Sequence, residues 1–307
     1  MIVNLKMTLS YMKTYAILLK LKTKYSVPML TLVHCFFMSL SVVLIKIMQS
    51  HYQIIQITFC YNLIICLVLG IFSVCSHSHF FKISFNDIGY HFLRSIFGFI
   101  GFLLFFYAIS NMNITDTRVI VSIDSIITSL LAVFFFKESI NFNKILAFVT
   151  ACCATIILLH PSNIPFSIES ISAFFAVICL GIFNNITKKI IRSKSIEQIF
   201  YLAFFSLIYS FIPSIYYWNN SIWSKHLLII VFIAFAIMVG SCSSFYALKN
   251  TEFSLFIAIH FIGIVSSVIM GYFIFHEIPS YLTILGSFII ILGNISLLKE
   301  KHSSHKY

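Results

Sequence analysis

Residues 119–139 read VIVSIDSIITSLLAVFFFKES. The stretch is almost entirely apolar from Val119 to Phe136, then stops at Lys137 and Glu138. A helix of this length approaches the roughly 30 Å of a bilayer's hydrocarbon core. One carboxylate, Asp124, stands inside it. It lies about twelve residues before the Lys137 end, or roughly 18 Å at 1.5 Å per residue, which puts it near the midplane. A charge at that depth costs about 2.5–3.5 kcal/mol even on lenient insertion scales. It must therefore face water or a partner, or carry a proton.

The whole chain repeats the pattern of this stretch. Of 307 residues, 60% are hydrophobic and 9% charged, and the mean hydropathy is +1.01. A soluble domain carries about 25% charged residues, so this chain lacks the polar surface to face water. The formal charge of +11 falls between apolar runs rather than in a stripe. It reads as membrane orientation and not as a nucleic-acid surface. The eight cysteines form no CxxC pair and fall mostly in apolar runs, where they act as small packing residues. His77 and His79 are read as a solvated turn. The sequence holds no HxxxxD, HExxH or GxSxG pattern, and an enzyme is not expected. No cofactor or metal is expected either.

Ten candidate spans follow, at roughly 27–48, 54–74, 90–109, 117–136, 143–160, 168–187, 197–217, 227–248, 253–275 and 281–298. The basic stretch 1–26 reads as a cytoplasmic arm or the product of an upstream start. Residues 299–307 form a tail. With the N-terminus inside, seventeen Lys and Arg fall on the cytoplasmic side, and only Lys46, Arg118 and Lys225 outside. That asymmetry sets both termini in the cytoplasm.

The two halves of the chain resemble each other. FFYAISN (105–111) matches SFYALKN (244–250), and AVFFFKES (132–139) matches GYFIFHEI (271–278), both at an offset of 139. This register runs without a gap from Gly101 with Gly240 to Leu159 with Leu298, and it pairs Glu138 with Glu277. At an offset of 142, Lys46 pairs with Lys188 and Gln56 with Gln198. The expected fold is thus an all-α integral membrane protein. Its ten transmembrane helices form two inverted five-helix repeats, 27–160 and 168–298. Inverted repeats with a site near the midplane are the architecture of alternating-access carriers.

These features, with the block FLRSIFGFIGFLLFFYAISNMNITDTRVIVSIDSIITSLLAVFFFKES (92–139), resemble the drug/metabolite transporter superfamily. Within it the chain is similar to EamA-type members, and among those to the S-adenosylmethionine uptake carriers of obligate intracellular bacteria. Arg94 matches the arginine that opens span three there, and Glu138 the glutamate that closes span four. The resemblance implies secondary transport of a small metabolite at the inner membrane, with no ATP site. It also implies a central cavity lined mainly by spans 1, 3, 4, 6, 8 and 9. S-adenosylmethionine uptake is the leading reading, with an amino-acid or other metabolite exporter of the same family as the alternative and a membrane-embedded transferase as the non-transport alternative. The chain departs from EamA-type sequences at Ser125 and Ile264, where a proline is usual, and at Tyr61, where an arginine is common.

The candidate substrate or proton-coupling residues are Asp124, His260, Asn184, Asn185, Tyr107, Tyr246 and Arg94. Asp124 would bind a cationic group or relay a proton, or else pack spans together through Ser122, Ser125 or Thr128. His260 pairs with Val121 in the repeat, one turn from Gly263, the counterpart of Asp124. It would form a proton switch with Asp124 or simply pack. Asn184 and Asn185 point about 100° apart, so that one would face the cavity and the other a neighbouring helix, or both would serve interhelical hydrogen bonds. Tyr107 and Tyr246 would stack on a ring or support the scaffold. Arg94, at the cytoplasmic mouth, would pair with a substrate carboxylate or snorkel to headgroups. Glu138 and Glu277 are expected to be structural, capping helices or tying loops. The expected partners are a small-molecule substrate and the lipid bilayer, with a homodimer as a candidate assembly and no nucleic acid.

Overall fold

The computed structural model describes residues 29–75, 85–121, 123–136, 167–190, 195–250 and 262–278, and single or short stretches at 142, 145–146, 149–150, 153, 281, 284–289 and 292. His260, Glu138 and the His77–His79 turn lie outside the described residues.

Every described element is a helix. α1 is Met29–Gln49, α2 Ile54–Cys75 and α3 Phe85–Asn111. α4 is Ile114–Val121 and α5 Asp124–Phe136. α6 is Ile168–Lys189, α7 Ser195–Tyr216 and α8 Ser221–Lys225. α9 is Leu227–Asn250 and α10 Ile262–Phe275. Six of these (α1, α2, α3, α6, α7 and α9) are long and apolar enough to cross a bilayer.

Local chemistry sets the ends. The Ser167 hydroxyl accepts from the Ser170 amide at 3.2 Å and starts α6. Glu169 in the first turn and Lys188 and Lys189 in the last match the helix dipole. α10 stops at His276, whose φ of 55° lies in the left-handed region. Its amide returns to the Tyr272 carbonyl at 3.1 Å, a helix-ending turn.

Two expectations are corrected. The fourth span is not one helix: Ile123 sits in a turn between α4 and α5. The Ile123 amide bonds back to the Ile120 carbonyl, and its own carbonyl accepts from the Ile126 and Ile127 amides. Asp124 therefore opens a new helix, where the dipole favours a carboxylate. The third span also starts earlier than expected, at Phe85 rather than near 90.

One hydrophobic core runs through the assembly, with Ile45 and Met48 of α1, Ile57 of α2, Ile109 of α3, Ile126 of α5, Ala176 of α6 and Ile233 of α9. α3 packs on α6, α2 on α7, α5 on α6, and α10 on α4. The opposite faces carry large exposed apolar groups, such as Leu67, Ile71 and Phe72 on α2 and Ile208, Phe211 and Ile212 on α7. Such continuous apolar surface is stable where lipid covers it. Tyr216, Tyr217 and Trp218 follow at the end of α7, the placement expected of an interfacial aromatic belt.

Candidate functional site

Among the described residues, three polar clusters between these apolar helices contain residues singled out from the sequence. The first joins α5 to α6. The Asn184 side-chain amide donates to Asp124 Oδ2 at 3.3 Å, and Asp124 is half-buried. Asn185 is buried and donates to the Thr128 carbonyl at 3.0 Å and the Gly181 carbonyl at 2.9 Å. Both asparagines thus meet the same helix. Asn184 reaches its acidic N-terminus, and Asn185 ties its backbone one turn further on. The close approach depends on Gly181, where a Cβ would stand 3.1 Å from Ile127 Cγ2 and 3.2 Å from Leu131 Cδ1.

The second cluster joins α3 to the start of α7. Arg94 has no exposed surface. Its guanidinium donates to the Gln198 carbonyl at 2.6 Å and to Gln198 Oε1 at 3.2 Å. It lies 5.5 Å from the Phe183 ring and 5.6 Å from the Phe245 ring. These contacts offset part of the several kcal/mol that a buried ion costs. One turn before it, His91 is equally buried and tilts against Tyr201, with ring centroids 5.0 Å apart. Among the described residues, neither His91 nitrogen has a hydrogen-bond partner, nor does Arg94 Nε.

The third cluster lies where α1, α4 and α10 meet. Lys46 pairs with Glu277 at 2.7 Å and also donates to the Met112 carbonyl at 3.0 Å. The other Glu277 oxygen accepts from the Ile114 amide at 2.8 Å, which caps α4. The left-handed turn at His276 is what swings Glu277 back toward Lys46.

Of the residues singled out from sequence, Asp124 and Asn184 meet. Asn185 is a packing residue against α5. Tyr107 and Tyr246 expose 42% and 49% of their surface. Arg94 is enclosed by protein rather than reaching toward headgroups. The early start of α3 places it more than two turns inside the helix. His91 and Gln198 were missed. The signal for His91 was its place one turn before Arg94 in an otherwise apolar run.

Buried polar and ionisable groups such as His91 and Arg94, within a scaffold sheathed in apolar side chains, mark a candidate solute pathway. The sequence profile of the EamA-like transporter family matches this chain twice, over residues 26–160 and 167–298. The chain belongs to that family. It is thus a multi-pass membrane protein of the drug/metabolite transporter superfamily. As an EamA-like member it is similar to the S-adenosylmethionine uptake transporter of Rickettsia conorii, at 28% identity over 70% of this chain and 74% of that one. The transporter of the same name from Rickettsia prowazekii is 26% identical over 70% of this chain and 73% of that one. A solved crystal structure shares the fold, with a TM-score of 0.61 at 11% identity, covering 88% of this chain and 94% of the other.

Proposed function

We propose that this EamA-like chain is a secondary transporter that moves a small polar metabolite across the bacterial inner membrane by alternating access. Uptake of S-adenosylmethionine is the substrate reading. Ten spans, in two inverted five-helix repeats over 27–160 and 168–298, form the scaffold, and both termini are cytoplasmic. Two relatives that carry that printed name support the substrate. The positive-inside bias supports the orientation. With Arg94 buried in α3 and out of the loops, sixteen basic residues still oppose three.

Pairs of matching contacts support the repeat. A Cβ at Gly101 would stand 3.1 Å from Leu180 Cγ, and one at Gly240 would stand 3.1 Å from Met38 Cγ. Gly101 pairs with Gly240 at offset 139, and Met38 with Leu180 at offset 142. The same registers relate the Gly181 contact with Ile127 and Thr128 to the bonds of Ser39 with Ser266 at 2.6 Å and with Ser267 at 3.1 Å.

The single observation that carries the transport site is Asp124 opening α5 in contact with Asn184. Its counterparts in the other half are Gly263 and Val42. The scaffold repeats and the polar groups do not, which separates solute handling from packing. Asp124 receives the cationic part of the solute or the coupled proton. Uptake of a labelled metabolite panel by a heterologous host tests this. S-adenosylmethionine enters cells expressing the wild-type chain, and Asp124→Asn lowers the rate at equal membrane abundance. A well-inserted wild-type protein that imports none of the panel contradicts the transport reading. An unchanged rate for the variant contradicts the role of Asp124.

A further inference from the structure

We propose that His91 and Arg94 form a buried subsite for a carboxylate of the transported molecule, so that the solute is a zwitterion of the amino-acid type. The proposal rests on the transporter reading above and adds the anionic pole of the site. Arg94 is fully buried, and among the described residues no carboxylate pairs with it. A structural arginine at such depth is normally neutralised by an acid. Here its acceptors are the two neutral oxygens of Gln198. Nε remains unused, as do both nitrogens of His91 one turn away.

The donors left over suit a planar monoanion. A guanidinium binds a carboxylate with two parallel N–H donors, and one imidazole N–H adds a third. A single guanidinium and a single carboxylate leave no net charge in the low-dielectric interior. A phosphate dianion would leave an uncompensated negative charge. The aromatic faces of Phe183, Phe245 and Tyr201 wall the pair and strengthen its electrostatics by excluding water. Gln198 Oε1 serves as the internal stand-in that the carboxylate replaces. The cationic end of the same solute is left to Asp124.

The test is thermal unfolding of the purified full chain in detergent, titrated with S-adenosylmethionine, methionine and lysine, each beside its decarboxylated amine. At least one carboxylate probe should stabilise the wild type at concentrations about 10- to 100-fold below its amine. Arg94→Gln should erase that preference, and Arg94→Lys should keep part of it. Gln198→Ala removes the internal acceptor and should tighten carboxylate binding while leaving the amines unmoved. This second variant decides the matter if Arg94→Gln does not fold. Equal response to acid and amine overturns the subsite. So does no response to any probe, a preference that survives Arg94→Gln, or a Gln198→Ala midpoint that does not move. If S-adenosylmethionine is inert and methionine or lysine responds with the expected preference, the substrate reading fails and the subsite stands. If S-adenosylmethionine is imported and its amine competes equally, the reverse holds.

Discussion

Asn184 and Asn185 are neighbours with separate jobs, and single substitutions distinguish them. Asn185 is buried and makes two hydrogen bonds to backbone carbonyls. Asn185→Ala strands the Thr128 carbonyl and opens a small gap. It should cost about 1–3 kcal/mol of stability, seen as a lower unfolding temperature in detergent. Asn184 is less enclosed, and its contact is the Asp124 carboxylate. Asn184→Ala should leave unfolding nearly unchanged and slow transport, measured as initial uptake rate at equal protein. Loss of stability from Asn184→Ala with transport intact would reverse the two assignments. The sequence placed Asp124 and both asparagines in apolar surroundings, and that much was legible from cost alone. It could not show that both asparagines face one helix, because this depends on the close approach at Gly181.

At the scale of the helix, the tie between α1, α4 and α10 is an ion pair plus a cap. Glu277→Gln removes the charge that neutralises the partly buried Lys46 ammonium, which keeps the Met112 carbonyl and the Phe275 ring. The loss should be about 3–5 kcal/mol, the usual cost of breaking an enclosed pair from one side. Lys46→Met combined with Glu277→Leu should be less destabilised than the sum of the single changes. A double-mutant cycle in chemical or thermal unfolding measures that coupling; additive losses would mean the pair is not coupled. The crossing of α3 and α6 is tested at Gly98, where a Cβ would stand 2.9 Å from the Phe183 ring. Gly98→Ala should push Phe183 against Arg94 and cost about 1–3 kcal/mol, read as a drop in unfolding temperature. The hydropathy pattern located α1, α2, α3, α6, α7 and α9 because each is a long apolar run. It did not show the break at Ile123, since the polar dip at Ser122, Asp124 and Ser125 is short and lies within one long apolar run from Val119 to Phe136. The depth of Arg94 was misjudged for a related reason. The first turns of α3 hold Asn86 and Asp87, which read as loop residues, and the helix begins before them.

Over the whole molecule, the proposed carrier joins a scaffold whose two halves would repeat to a set of polar groups that do not. Lys46 with Lys188 and Glu277 with Glu138 occupy matching registers, as scaffold residues should. Asp124 and Asn184 stand in register with Gly263 and Val42. This division was partly legible in the sequence, where the echo of Glu138 in Glu277 and the absence of an echo of Asp124 are both visible. The buried His91–Arg94 pair was not, because burial follows from how α3, α6, α7 and α9 pack together. Orientation belongs to this scale too. Reporter fusions at residue 192 and at the C-terminus should read as cytoplasmic, and a fusion near residue 220 as external. The opposite pattern would invert the carrier and void the assignment of its mouths.

The most direct measurement is counterflow in proteoliposomes holding the purified chain. Vesicles preloaded with unlabelled S-adenosylmethionine should transiently accumulate the labelled compound from outside, saturably and only when protein is present. Asp124→Asn vesicles with the same protein content should show at least a tenfold slower rate, about 1.4 kcal/mol or more on the transport barrier. Equal counterflow by wild-type, Asp124→Asn and protein-free vesicles would contradict the account.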